Sequence, residues 1–226
     1  MSLRFAPPPA IRENEQRSVF VSASIPDPTR WDGDFDALEI TDAVVALARV
    51  FLTAGWRLVS AAHPTIAPLL LYVAAELARP NDPERTSRVT IYQSELFEDV
   101  LPTATRRFEA DGVGSIVWTA PSPGDLPQPG KWDSSLEIMR RQMLAETQPA
   151  AGLFVGGMQG VPDEYRMFAE RLPGRPRFPI GRPGGEARSL AHEIDSPLRP
   201  LLVDGDVYPA IWRAVLAELD MQELIH

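Results

Sequence analysis

The chain has 226 residues, 44% hydrophobic and 23% charged, enough for one globular domain with a full core. Its 31 acidic and 22 basic side chains leave a net charge of −9, which opposes a nucleic-acid groove and an anionic membrane surface alike. Cysteine is absent, which removes disulfides, thiol nucleophiles, iron–sulfur clusters and cysteine-held zinc, and Lys131, the only lysine, lies in no P-loop motif.

Residues 1–17, with Pro7-Pro8-Pro9 and then a polar stretch, read as a flexible arm ahead of a single domain over 18–226. No apolar run reaches a membrane span and the start carries no leader pattern, so a cytoplasmic location is expected. Ser18 to Ser24 (SVFVSAS) reads as a buried strand. A long loop leads to a helix over Ala37 to Ala54, where Ile40, Val44, Leu47, Phe51 and Leu52 recur at helical steps and Gly55 closes the end. Trp56 to Ala61 is the second strand. His63-Pro64-Thr65 opens a second, strongly apolar helix to about Ala78.

Arg88 to Gln93 forms a third strand, and Ser94 to about Asp111 is helical with Pro102 interrupting. Ser115 to Ala120 is a fourth strand, followed by a proline-rich loop. The helix over Ser134 to Thr147 starts with an S-x-x-E capping box, Ser134 with Glu137. Leu153 to Val155 forms a fifth strand and Pro162 to about Leu172 a helix. Phe178 to Ile180 reads as a sixth strand, with a short helix near Gly185 and a last one over Tyr208 to Leu224. Strands alternate with helices and no hairpin joins neighbours. The expected fold is therefore a Rossmann-like, three-layer α/β/α domain with a mostly parallel sheet.

In such sheets ligands bind beyond the carboxyl ends of the strands. The residues there are small, hydroxylic or glycine: Ser22 and Ser24, His63 and Thr65, Ser94, and Gly156-Gly157-Met158-Gln159-Gly160. Several of these loops run into helix N-termini, whose free N–H groups suit phosphate. Pro162 fits a first helical position, and Asp163 and Glu164 are expected in the first turn, where acids complement the helix dipole. In the preceding helix Arg140 falls on the stripe of Leu136, Met139 and Met143, whereas Arg141 points elsewhere. A core-facing arginine needs an anion, either an internal carboxylate or a ligand phosphate. Pro183-Gly184-Gly185-Glu186, flanked by Arg182 and Arg188, is a second candidate loop over the ligand. His63, His192 and His226 lack metal-ligand spacing, so no metal and no cofactor are expected.

The run Met139-Arg140-Arg141-Gln142-Met143, a strand, and then Gly156-Gly157 through Glu164 resembles the signature of the SLOG superfamily. That superfamily joins the Lonely Guy phosphoribohydrolases with DNA-processing and nucleotide-sensing domains. The VFVSAS strand and the SAAHPT loop resemble its other strand-end motifs. Val155 replaces the hydrolases' proline, two residues rather than one separate Gly157 from Gly160, and Val161 replaces a threonine. These departures favour the ligand-sensing branch.

The resemblance implies a domain that binds a nucleotide or nucleotide-derived signal in a bacterial stress or defence system. Ser22, Ser24, His63, Thr65, Ser94, Arg140, Gly156, Gly157, Met158, Gly160, Glu164, Gly184 and Gly185 are the expected contacts. Arg140 would clamp phosphate and Glu164 would meet ribose hydroxyls. The alternative is an enzyme hydrolysing the N-glycosidic bond of a nucleotide, with Arg140 and Glu164 as its catalytic residues. The partner is expected to be a small molecule, not nucleic acid or membrane. A homodimer is the assembly the resemblance suggests, with the apolar second helix available as an interface.

Overall fold

The computed structural model of the chain describes residues 17–79, 82–128 and 130–223. The arm expected over 1–17 lies outside them except for Arg17. Six strands form one all-parallel sheet: β1 (Ser18–Ser24), β2 (Arg57–Ala61), β3 (Val89–Ser94), β4 (Ser115–Thr119), β5 (Ala151–Gly156) and β6 (Arg177–Ile180). Their order is β4-β3-β2-β1-β5-β6. This is a Rossmann-like α/β fold. Between the strands run α1 (Ala37–Thr53), α2 (Ala67–Leu77), a 3₁₀ helix (Glu95–Val100), α3 (Thr103–Ala110), α4 (Asp133–Thr147) and α5 (Gly160–Arg171). After β6 come α6 (Glu186–Glu193), α7 (Arg199–Asp204) and α8 (Tyr208–Glu223). No helix among the described residues is long and apolar enough to cross a membrane.

Strand alternation divides the core in two. Val19, Val21, Leu58, Ile91, Leu153 and Val155 turn to one face, where α1, α2 and α8 cover them. Phe20, Val59, Tyr92 and Phe154 turn to the other, against Met139 and Met143 of α4 and Val161 and Phe168 of α5. Phe20, Phe154 and Phe168 pack with ring centroids 6.0–6.4 Å apart. The same alternation puts Ser22 and Ser24 on the α4–α5 face, above Phe20. On the first face, the Trp212 indole donates to the Ala43 carbonyl at 2.9 Å and ties α8 to α1.

The sheet order reverses at β1. Each chain segment leaving β1 to β3 crosses on the α1–α2 side, whereas α4 and α5 cross on the other. The carboxyl ends of β1 and β5 therefore flank a crevice between helices that diverge to opposite faces.

Four local expectations change. The second helix starts at Ala67 rather than His63, because His63-Pro64-Thr65 forms a turn in which the Ile66 and Ala67 amides donate to the His63 carbonyl. Ser134 caps nothing: α4 begins at Asp133 after Trp132, with no side-chain cap. The Asp125 carboxylate holds that end instead, accepting from the Ser135 amide and hydroxyl at 2.7 Å each. α5 begins at Gly160, so Pro162 is its third residue, a position whose missing N–H costs nothing within the first turn. Glu164 consequently lies past the first turn, and only Asp163 lies within it. The short α7 was not expected; its Pro200 in the first turn and its six residues leave almost no periodic signal.

Candidate functional site

The carboxyl edge of β1 and β5 gathers the expected residues around one ion pair. Arg140 of α4 donates from Nε to Glu164 Oε1 of α5 at 2.8 Å, with the two side chains only 17% and 10% exposed. Glu164 Oε2 accepts from the Ser22 hydroxyl at 2.5 Å. Ser22 is fully buried under the pair. A buried arginine and carboxylate hold each other in charge balance, and the serine occupies the second carboxylate oxygen. Of the two partners open to Arg140 from sequence, the internal carboxylate is the one the fold supplies.

That bond uses only Nε. Both terminal guanidinium nitrogens of Arg140 lack a protein acceptor among the described residues. They lie beside Gly160, where a Cβ would stand 3.3 Å from Nη2. In the same turn the backbone N–H groups of Met158, Gln159 and Gly160 find no acceptor among the described residues. Three free amides at the start of a twelve-residue helix and a fixed guanidinium make a surface suited to an anion.

The other glycines serve the fold. Gly156 (φ +64) and Gly157 (φ +81) occupy left-handed conformations at the end of β5, and the Gly157 amide donates to the Ser24 carbonyl at 2.8 Å. Gly185 (φ +66) packs so closely that a Cβ there would stand 2.5 Å from the Gly156 carbonyl carbon. Gly184 is packed in the same manner: a Cβ there would run into the Asp34 carbonyl oxygen and the Phe35 Cα. All four glycines are buried. They bring the loop after β6 onto the loop after β5, and this contact sets the path of the 158–160 turn.

His63 sits at the end of β2, next to β1. Its Nδ1 shares a hydrogen bond with the Thr65 hydroxyl at 2.9 Å. Burial holds the imidazole below its ordinary value of 6.5, while the nearby negative charge of Glu164 pulls it up. Ser94 is buried at the end of β3, two strands from β1, which is roughly 10 Å at ordinary strand spacing. Its hydroxyl accepts from the Leu96 amide and caps the 3₁₀ helix. Arg188 donates to the Gly181 and Arg182 carbonyls, and Arg182 pairs with Glu39 at 3.3 Å. Arg182 is thus turned to α1, and Arg188 is engaged by the loop after β6.

The structure thus brings together Ser22, Arg140, Glu164, Gly160 and the 158–160 amides, with Ser24 and His63 at their edge. Thr65 and Ser94 hold neighbouring turns. Gln159 was not among the expected residues. Its contribution is a main-chain amide, which carries no residue-type signal, and its side chain donates to Asp163 at 3.3 Å.

A parallel sheet with its order reversed at β1, and a helix N-terminus facing the crevice, define a Rossmann-like α/β protein whose ligand edge lies beside β1 and β5. The chain belongs to the SLOG cluster3 family, whose model matches residues 30–216. The match continues past Gly185 through α6 and α7 into α8. Membership supports a nucleotide-related function in general. No curated protein matches the chain.

Proposed function

We propose that the domain binds a nucleotide or nucleotide-derived signal through its phosphate, and acts as a sensor. One observation carries this reading: Arg140 is anchored through Nε alone, leaving both terminal nitrogens beside the unpaired amides of Met158, Gln159 and Gly160. A guanidinium fixed by its own carboxylate meets phosphate with two parallel donors and loses little rotamer freedom on binding.

Glu164 then positions Arg140. One of its oxygens accepts from Arg140 and the other from Ser22, so both are tied to the protein. A carboxylate tied at both oxygens serves as a fixed support for the guanidinium, which favours binding over N-glycosidic hydrolysis.

Thermal denaturation with AMP and NAD, paired with chromatography for released base, separates the two. Stabilisation without base release supports the sensor; a ligand at about 100 times its dissociation constant adds about 2.7 kcal/mol. Base release abolished by Glu164→Gln supports the hydrolase. An unmoved melting curve with no product counts against both.

A further inference from the structure

Resting on the phosphate reading above, we infer that Phe97 and Trp132 form a stacking platform for the heteroaromatic base of the same ligand. The two rings meet edge to face, with centroids 5.4 Å apart and planes at 65°. Both are half-buried, and neither belongs to, or packs against, either of the two hydrophobic clusters. Rings outside the main core keep part of their faces uncovered, and an aromatic face at a binding edge offers stacking to any base.

The pair sits at the ligand edge. Phe97 lies in the 3₁₀ helix just after β3, and Trp132 immediately precedes α4, just past the β4 loop. Trp132, Leu136 and Arg140 follow one another at steps of four, the row that runs along one side of a helix. Trp132 thus stands above Arg140 on one flank of α4, roughly 12 Å along the axis at the usual helical rise. A ligand with its phosphate at Arg140 and its base at the head of the helix would lie along this flank.

Both rings are held by their neighbours. Ser94 caps the 3₁₀ helix through the Leu96 amide. Asp125 binds the Ser135 amide and hydroxyl, and the Ser135 hydroxyl accepts from the Ser122 amide at 2.9 Å, which ties the proline-rich loop to the start of α4. Exposed Glu95, Glu98, Asp99 and Asp133 flank the rings in sequence. Those carboxylates repel further phosphates from this end and accept from exocyclic amino groups, so the platform fits an amino-bearing base.

Calorimetric titration of the full chain with AMP and with ribose 5-phosphate tests this. AMP is expected to bind more tightly than ribose 5-phosphate. Trp132→Ala is expected to weaken AMP by roughly ten-fold or more, as loss of one stacked base does, and to leave ribose 5-phosphate unchanged. Trp132→Phe is expected to restore most of the AMP affinity. Equal loss of both probes in Trp132→Ala would show a structural role and overturn the platform, as would AMP binding unaffected by Trp132→Ala and Phe97→Ala. If the parent binds ribose 5-phosphate but gains nothing from the base, the platform alone falls. If it binds neither probe, the phosphate reading falls and the platform with it.

Discussion

Arg140 and Glu164, 24 positions apart in the chain, meet through a single 2.8 Å bond from Nε to Oε1, and Ser22 closes the carboxylate from below. The ion pair is mostly shielded from water, so its two halves are unequal in their absence. Removing the carboxylate leaves the guanidinium without its partner in a site with little access to water. Glu164→Ala is therefore expected to cost about 3–5 kcal/mol of folding stability, the usual penalty for breaking a buried pair. Glu164→Gln, whose amide oxygen can still accept from Arg140 while its NH2 group donates to the Ser22 hydroxyl oxygen, is expected to cost less. Urea unfolding of both variants checks this; equal, small losses would mean that the pair is solvated.

The contact between Gly185 and Gly156-Gly157 sets a second expectation. A side chain at 185 would meet the Gly156 backbone at 2.5 Å and would also force a left-handed φ of +66 on a residue that resists it. Gly185→Ala should lose roughly 1–3 kcal/mol from backbone strain alone, and more from the clash. Gly174 has φ +83 but nothing within 4 Å of an added Cβ, so Gly174→Ala isolates the strain. Denaturation midpoints compare the two directly. A smaller loss at 185 than at 174 would contradict the close loop contact.

His63 gives a pH dependence of known sign. Burial lowers its folded value below 6.5, against the opposing pull of Glu164, so the unfolded chain takes up the proton first. The contribution to stability is complete above about pH 6.5 and is lost as pH falls through that value toward the lower folded one. Stability measured between about pH 7.5 and about pH 5.5 should fall more in the parent than in His63→Gln, which cannot titrate. Parallel curves would show that His63 protonates as easily in the folded chain as in the unfolded one.

The sheet was readable because each strand is a short apolar run and each crossover a periodic helix. SVFVSAS and the LFV run of the fifth strand are such runs, each running into small residues. Arg140 was readable for the same reason: a charge on an apolar stripe demands an explanation. What the sequence could not display was the partner, since a carboxylate 24 positions away enters only once α4 and α5 lie side by side. The glycines misled in part. Their spacing suggested an open cradle, yet Gly156, Gly157, Gly184 and Gly185 are used by backbone packing against backbone, which only three-dimensional proximity reveals. The capping box failed because the helix starts at Asp133, which makes Ser134 its second residue, and Asp125, outside the helix, takes the Ser135 amide. The amides of the 158–160 turn had no residue-type signature at all.

The central claim is that a phosphate sits between the terminal nitrogens of Arg140 and the amides of Met158, Gln159 and Gly160. Amide and guanidinium NMR of the ¹⁵N-labelled chain, titrated with AMP, reads those groups one by one. The account predicts the largest shifts at the three amides and at the Arg140 side chain. Shifts that spare all four while appearing elsewhere, or no shifts at all, would contradict it.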